Sequence, residues 1–337
     1  MEQYVINNRR YMGCKQKLLL ELQDVLQKYT TGNSFLDLFG GTGSVTAYFY
    51  PKYEKCIIND ILYANELSYL AFFQSKDFEQ DKVAYYTEVF NNLNADEIED
   101  NYFSINYGYD RFFYKDDALI IGEIRQRIED AYTQKEITKS TYNVLLCSLM
   151  FSTDKVAQTC GIYDSYSKTK RNFKHFVFNC IKPYDCDNVA VYRKDANEIV
   201  KEVVTDIVYL DPPYNSRDYG RYYHVLEQLI KWDNAELNDN AARHPKNINE
   251  IKSKYCTKRE AFDTFKQLIE DIQSKYIVVS YNNHPKNCMT YDEIISTLET
   301  KGKLTIVSKD YKAYNAGKTD ETISKENTEY FFVVETK

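Results

Sequence analysis

Membrane-spanning and secretory features are missing from this chain of 337 residues. Crossing a bilayer takes about 20 consecutive apolar residues, and apolar runs such as 145–151 and 276–281 stop far short of that length. The N-terminus carries two arginines but neither an apolar core nor a small-residue cleavage site, so no secretory signal is visible. We therefore expect a soluble, cytoplasmic protein that binds no membrane.

Metal-ligand spacing is also missing. The eight cysteines never form a Cys-x-x-Cys pair, and the four histidines lie apart from them. Zinc sites need such ligands at close, regular spacing. We expect reduced, mostly buried thiols and no bound metal ion.

An excess of positive charge is the third absence: 43 Lys and Arg stand against 50 Asp and Glu, a formal charge of -7. A protein that coats nucleic acid neutralises phosphates with clustered Lys and Arg, so the total disfavours that class. The charge is uneven, however. Residues 77–101 carry eight acids against one lysine and are interpreted as a solvated helical face. Residues 152–194 carry eight bases against four acids, with Tyr163, Tyr166, Phe173, Phe176 and Phe178 interleaved. That composition is typical of a nucleic-acid face, and a solvated surface is the alternative.

Short β-rich segments alternate with helical segments along the chain. Strands are predicted at 34–39, 55–59, 189–193, 206–210, 276–280, 304–307 and 330–334. Helices are predicted at 15–28, 42–50, 63–74, 120–133, 141–151, 222–231, 259–273 and 291–299. This alternation predicts an α/β fold with a mostly parallel sheet covered by helices on both faces.

The stretch from residue 72 to residue 188 interrupts that alternation, because it is helical and irregular. We interpret it as an inserted, mainly helical second domain. Residues 1–71 and 189–337 would then form the main domain.

An apolar strand runs into a glycine-rich turn and then a helix at residues 35–45. Glycines allow a tight turn and close approach to a ligand, and a helix start supplies unpaired N–H groups. Asp37 precedes the glycines, at the end of the strand where open α/β sheets bind ligands. A carboxylate there suits a ligand with a cationic amino group better than a pyrophosphate. A plain tight turn is the alternative.

The second predicted strand ends at Asn59-Asp60, about 20 residues after the glycine turn. An acid at that spacing commonly binds the hydroxyls of a ribose. The combination favours a nucleoside-containing cofactor. The structural alternative for Asp60 is a cap on the following helix.

A third motif follows the strand at 206–210 and consists of Asp211, Pro212, Pro213 and Tyr214. The prolines stiffen the turn and donate no hydrogen bond, so carbonyl acceptors remain exposed. A carboxylate, a carbonyl and an aromatic face together form a receptor for a flat ring that bears an exocyclic amino group.

With these motifs the chain resembles the amino-methyltransferases of DNA, specifically adenine-N6 methyltransferases in which the cofactor motif precedes Asp-Pro-Pro-Tyr. Residues 11–15 resemble the N-terminal cofactor motif of that family, although Cys14 stands where many relatives have glycine. Further family-like stretches are 193–198, 214–219, 223–227 and 280–283.

The resemblance implies a Rossmann-like methyltransferase fold with a seven-stranded sheet, and S-adenosylmethionine as the methyl donor. It assigns cofactor contacts to Tyr11, Lys15, Asp37, Phe39, Gly41, Gly43, Asp60 and Asp195. Asp37 would lie near the methionine part, Asp60 on the ribose and Asp195 near the adenine ring. Asp211, Pro212 and Tyr214 would form the catalytic turn. No cysteine is nominated as a nucleophile.

The resemblance also implies duplex DNA as partner and a target-recognition region within residues 72–188. The candidate DNA contacts are Lys168, Lys170, Arg171, Lys174, Arg217 and Arg221. Expected activity is site-specific methylation of adenine N6 with base flipping, within a restriction-modification system whose endonuclease is encoded separately. The alternatives are an RNA or protein-amide methyltransferase on the same fold and a catalytically idle DNA-binding subunit.

Overall fold

A computed structural model describes residues 3–109, 111–159, 161–169, 174–248, 252–311 and 327–337. Its strands are β1 Ser34–Asp37, β2 Lys55–Asn59, β3 Val189–Tyr192, β4 Thr205–Leu210, β5 Ser274–Asn282, β6 Gly302–Tyr311 and β7 Asn327–Thr336. Its α-helices are α1 Leu19–Tyr29, α2 Ser44–Phe49, α3 Tyr63–Phe73, α4 Gln80–Asn91, α5 Tyr102–Tyr107, α6 Lys115–Thr133, α7 Lys139–Val156, α8 Ala196–Ile199, α9 Tyr219–Tyr222, α10 His224–Lys231, α11 Ala261–Asp271 and α12 Tyr291–Lys301.

Within these residues the strands form one seven-stranded sheet in the order β3-β2-β1-β4-β5-β7-β6. Strands β1 to β5 are parallel, and β7 is antiparallel to both β5 and β6. In register, Leu36 of β1 lies between Ile57 of β2 and Val208 of β4. The predicted strands are confirmed, and so is the mostly parallel seven-stranded methyltransferase fold.

Apolar side chains leave the central strands on alternate faces, as the twofold period of a strand requires. Phe35 packs into a cluster with residues of α1, α2, α3 and α10, whereas Leu36 packs into one with α8, α11 and α12. Both faces are therefore covered, which is why these strands are continuous apolar runs.

The helices α4 to α7 follow α3 in the stretch between β2 and β3. Buried residues of α5, α6 and α7, such as Phe103, Ile124 and Leu145, belong to the same hydrophobic cluster as Phe35. On α4 the buried side chains include Val83 and Phe90, and most acids of residues 77–101 are exposed. The division of the chain into two domains stays a prediction.

The predicted helices differ from the observed ones mainly at their ends. The helix predicted at 15–28 begins with a 3-10 turn, Lys15–Leu18, before α1. The helix predicted at 222–231 is split at Tyr223 into α9 and α10. No helix in the described ranges is long and apolar enough to cross a bilayer.

Candidate active site

The carboxyl ends of β1 to β4 meet at one edge of the sheet, and acids stand at or just after these ends. A cleft that is partly open to solvent lies there. Its lining includes the predicted cofactor residues Tyr11, Lys15, Asp37, Phe39, Gly41, Asp60 and Asp195. Gly43 lies behind the turn, where φ is +80° and a Cβ would come within 2.7 Å of Ile6. Parallel topology thus brings together residues that are far apart in the chain.

The glycine turn is held by Asp60. Its Oδ2 accepts a hydrogen bond of 3.0 Å from the Gly41 N–H, and its Oδ1 accepts one of 2.9 Å from the Leu62 N–H at the start of α3. Gly41 has φ of +53°, and a Cβ there would lie 3.2 Å from the Tyr11 ring. The alternative in which Asp60 caps the following helix therefore accounts for the contact of Oδ1 only. Oδ2 binds the glycine turn instead, and the carboxylate also lines the cleft.

Asn59, which the sequence interpretation missed, joins three strand ends. Its Nδ2 donates to the carbonyls of Leu38 (3.2 Å) and Lys194 (3.0 Å), and its Oδ1 accepts the Lys194 N–H at 3.0 Å. These bonds fix the residues that precede Phe39 and Asp195. A polar residue at the buried end of an apolar strand was the available signal.

Asp37 is almost fully buried, and burial raises the pKa of its carboxyl to about 7. The Thr46 hydroxyl donates to its Oδ2 at 2.9 Å and opposes that rise. Near neutral pH this carboxyl is consequently poised between its two protonation states.

Asp211 forms an ion pair with Lys15, with 3.0 Å between Oδ1 and Nζ. Burial raises the pKa of Asp211 to about 6, although the Lys15 ammonium opposes the rise. Burial disfavours the Lys15 ammonium, but Asp211 and Glu329 outweigh this and hold its pKa above the usual value. Lys15 is therefore a permanent cation beside the predicted catalytic carboxylate.

Tyr214 is half-buried, and its hydroxyl joins a network around Glu329. The hydroxyl accepts from Lys15 Nζ (2.7 Å) and donates to Glu329 Oε1 (2.7 Å). Ser280 Oγ donates to the same Glu329 oxygen at 2.7 Å. The Tyr214 ring packs against Tyr281, with 4.4 Å between ring centroids. Pro212 is buried within this turn.

Sequence interpretation missed Glu329 as a site residue. It lies on β7 and is 5% exposed. Lys15 and Tyr214 lower the pKa of its carboxyl, against the effect of burial, so it is ionised. The local signal was an acid directly before the apolar strand predicted at 330–334.

The N-terminal motif contacts the segment that follows Tyr214 through stacked tyrosines. The Tyr11 ring packs against both Tyr223 (4.8 Å between centroids) and Tyr219 (5.4 Å), and the centroids of these two rings are 6.3 Å apart. The Tyr223 hydroxyl accepts the Met12 N–H at 2.8 Å. Tyr11, Met12 and Tyr219 line the cleft, so the two segments form one wall.

A buried acid on α10 caps the helix that follows Asp60. Glu227 accepts the N–H groups of Tyr63 (3.1 Å) and Ala64 (2.8 Å) at the start of α3. Burial raises the pKa of Glu227 to about 7, and these bonds oppose the rise.

Four of the six predicted DNA contacts lie among the described residues, and all four are exposed. Lys168 and Lys174 are exposed, and Lys170 and Arg171 lie outside the described residues. Arg217 is exposed beside Met12, while Arg221 is engaged by Asp164 at 2.9 Å.

Comparison with known proteins agrees with this geometry. Residues 11–326 match the family model of D12 class N6 adenine-specific DNA methyltransferases. The chain is 29% identical to Type II methyltransferase M.NlaIII of Neisseria lactamica, over 96% of this chain and 98% of that protein. It is 29% identical to Type II methyltransferase M.CviAII of Paramecium bursaria Chlorella virus 1, over 98% and 99%.

A third relative is longer. The chain is 31% identical to Modification methylase LlaI of Lactococcus lactis subsp. lactis, over 91% of this chain and 51% of that protein, so it spans about half of it. The family match covers most of the chain and confirms the resemblance seen in the motifs. The chain belongs to the D12 class of N6 adenine-specific DNA methyltransferases.

Proposed function

We propose that this chain transfers a methyl group from S-adenosylmethionine to N6 of an adenine flipped out of duplex DNA. The observation that carries the proposal is the position of Asp211. It directly follows β4 and lines the same cleft as the glycine turn and Asp60, so donor and acceptor sites would adjoin.

The cleft residues suit S-adenosylmethionine. Carboxylates at three strand ends, Asp37, Asp60 and Asp195, offer acceptors for an ammonium group, ribose hydroxyls and an adenine amino group. Phe39 lies in the same wall, edge-on to Tyr255 at 5.2 Å, and supplies aromatic surface. Bound there, the cofactor would supply an electrophilic methyl group on sulfonium.

The catalytic turn would orient the target base. Reaching N6 requires extrusion of the adenine from the duplex, at a cost of a few kcal/mol. Asp211 and the Pro212 carbonyl would accept the two N–H bonds of the amino group, and Tyr214 would stack on the ring. The positive charge that develops on the nitrogen would be stabilised by the Asp211 carboxylate. Most of the acceleration would come from alignment for in-line transfer.

The substrate side of the proposal follows the names of the relatives, which are type II methyltransferases and modification methylases. We infer a site-specific enzyme of a restriction-modification system, with a separately encoded endonuclease. Residues 72–188 would contain the target-recognition region, and Lys168, Lys170, Arg171, Lys174, Arg217 and Arg221 would contact DNA.

The test compares Asp211→Ala with Asp206→Ala, at the two ends of β4. Asp206 accepts hydrogen bonds from Ser34 and pairs with Lys275, far from the cleft. We expect Asp211→Ala to abolish methylation of duplex DNA by labelled cofactor while cofactor binding in calorimetry persists. Asp206→Ala should lose stability and keep its activity per folded molecule.

Offering RNA and protein as competing acceptors decides the substrate class. Incorporation into RNA or protein alone would contradict the proposal, and failure to bind the cofactor would favour an idle DNA-binding subunit. Sequencing modified bases in DNA from expressing cells should show N6-methyladenine at one recurring motif.

A further inference from the structure

One short segment concentrates positive charge more strongly than the stretch at 152–194. Residues 252–259 contain four bases and no acid: Lys252, Lys254, Lys258 and Arg259. All four side chains are exposed. We call this set the basic rim.

Several other basic residues form ion pairs with acids, whereas the side chains of the basic rim form none within the described part of the chain. Lys194 pairs with Glu202, Arg193 with Glu66, and Lys246 with Glu236. No described residue forms an ion pair with any of the four rim side chains. Clustered cations repel each other, and a polyanion relieves that repulsion.

The rim is anchored at the mouth of the cleft. Ser253 and Tyr255 line the cleft, and the Tyr255 hydroxyl donates to Asn197 at 2.8 Å. Cys256 Sγ donates to the carbonyl of Arg217 at 3.0 Å, which joins the segment to the loop that follows Tyr214. The cations therefore flank both the cofactor residues and the catalytic turn.

We propose that the basic rim binds the phosphate backbone of the DNA strand next to the flipped adenine. This inference rests on the proposed function, because it takes duplex DNA as the partner. It adds a second DNA-contacting element, on the opposite side of Asp211 in sequence from residues 168–174. Phosphate contacts position the duplex and carry no sequence information directly.

The test neutralises the rim with Lys252→Gln, Lys254→Gln, Lys258→Gln and Arg259→Gln in one variant. A matched control replaces four exposed lysines away from the cleft: Lys28, Lys55, Lys82 and Lys303, each by Gln. Both variants change the net charge equally. Equilibrium binding to cognate and unrelated duplexes is measured across a salt series, together with KM for DNA, kcat and cofactor affinity.

We expect the rim variant to bind both duplexes at least tenfold more weakly at low salt. Each lost phosphate contact reduces the slope of log affinity against log salt by about 0.9, so the slope should fall by up to about 3 to 4. KM for DNA should rise, while kcat, cofactor affinity and the preference for the cognate duplex stay unchanged. The control should match the wild type.

A rim variant with wild-type salt slope and KM would overturn the inference. If the wild-type enzyme bound duplex DNA through the basic rim but methylated none of it, the proposed function would be wrong. The inference about the basic rim would still stand. A wild-type enzyme that does not bind duplex DNA would overturn both.

Discussion

Lys15 and Asp211 form a buried ion pair, 3.0 Å from Nζ to Oδ1, although 196 positions separate them in the chain. Glu329 lies at the same distance from the same ammonium, 3.0 Å. Two carboxylates therefore share one cation in a site that is largely closed to water. The charge of Asp211, which is the proposed acceptor for the adenine amino group, depends on both neighbours.

Replacing Lys15 or Glu329 should shift the pH at which kcat falls on the acid side of its profile (the acid limb). The two replacements should shift it in opposite directions. The pKa of Asp211 is about 6, because burial raises it while Lys15 lowers it and Glu329 raises it further. Wild-type kcat should fall as the pH drops through that value. Lys15→Met removes the cation and should shift the limb to higher pH, whereas Glu329→Gln should shift it to lower pH.

Both profiles are measured at saturating cofactor and DNA, with Lys15→Arg as the charge-preserving control. Breaking a buried ion pair costs roughly 3–5 kcal/mol of stability, so Glu329→Gln keeps the test informative if Lys15→Met does not fold. If kcat fell at the same pH in all variants, the effect of Lys15 and Glu329 on the pKa of Asp211 would be contradicted.

Substitutions of Tyr214 should separate its ring from its hydroxyl. In Tyr214→Phe the Lys15–Glu329 contact persists, so we expect a loss of about 1 kcal/mol of stability and largely retained activity. Tyr214→Ala removes the stacking face, worth roughly 1–3 kcal/mol per base. It should lower kcat/KM for DNA by about 5- to 150-fold. Equal activity of the three proteins in a steady-state assay would count against stacking.

Asn59 should control cofactor affinity through the strand ends that it joins. Asn59→Ala leaves the Leu38 and Lys194 backbone groups without their partner, and we expect cofactor Kd to rise at least tenfold in calorimetry. Asn188 is a matched control, since its Nδ2 donates to the carbonyls of Tyr50 and Tyr53 at 2.8 Å, away from the cleft. Asn188→Ala should lower the unfolding midpoint without changing Kd. Parallel changes in Kd for both variants would show a general loss of structure instead.

Glu227→Gln should change the pH dependence of stability. The pKa of Glu227 is about 7 in the folded protein because of burial, and about 4.3 in the unfolded chain. The folded state therefore holds the proton more tightly, and this group's contribution is full below about pH 4.3 and lost as the pH rises through 7. Relative to wild type, the variant should gain up to about 1.4 kcal/mol per pH unit across this window. Urea unfolding of both proteins at several pH values measures the difference between their free energies of unfolding. A difference that does not change with pH would refute the raised pKa of Glu227.

The sequence was sufficient to predict the parts of the site that depend on local pattern. Asp37 ends an apolar strand, and Asp60 and Asp211 each follow one. Parallel strands bring such ends together, so the meeting of these acids in one cleft could be foreseen. The glycine turn was recognisable for the same reason.

The partners of those residues could not be foreseen. Glu329 lies on β7, which is antiparallel to its neighbours β5 and β6. The sequence around residue 329 does not indicate that this residue contacts Lys15. Asn59 binds backbone groups of Leu38 and Lys194, which come together only after β1, β2 and β3 have paired. Such contacts are set by topology, which a single sequence encodes only indirectly.

The placement of β7 has a consequence for folding. Lys15 and Glu329 are 314 positions apart, so their contact forms only after the chain between them has been brought together, at an entropic cost. A chain in which β7 has not yet entered the sheet would already have its four parallel strand ends, but Asp211 would hold the ammonium alone. Because Glu329 raises the pKa of Asp211, that pKa would be lower in such a chain than in the complete sheet, and the charge state of this carboxylate thus depends on the entry of β7.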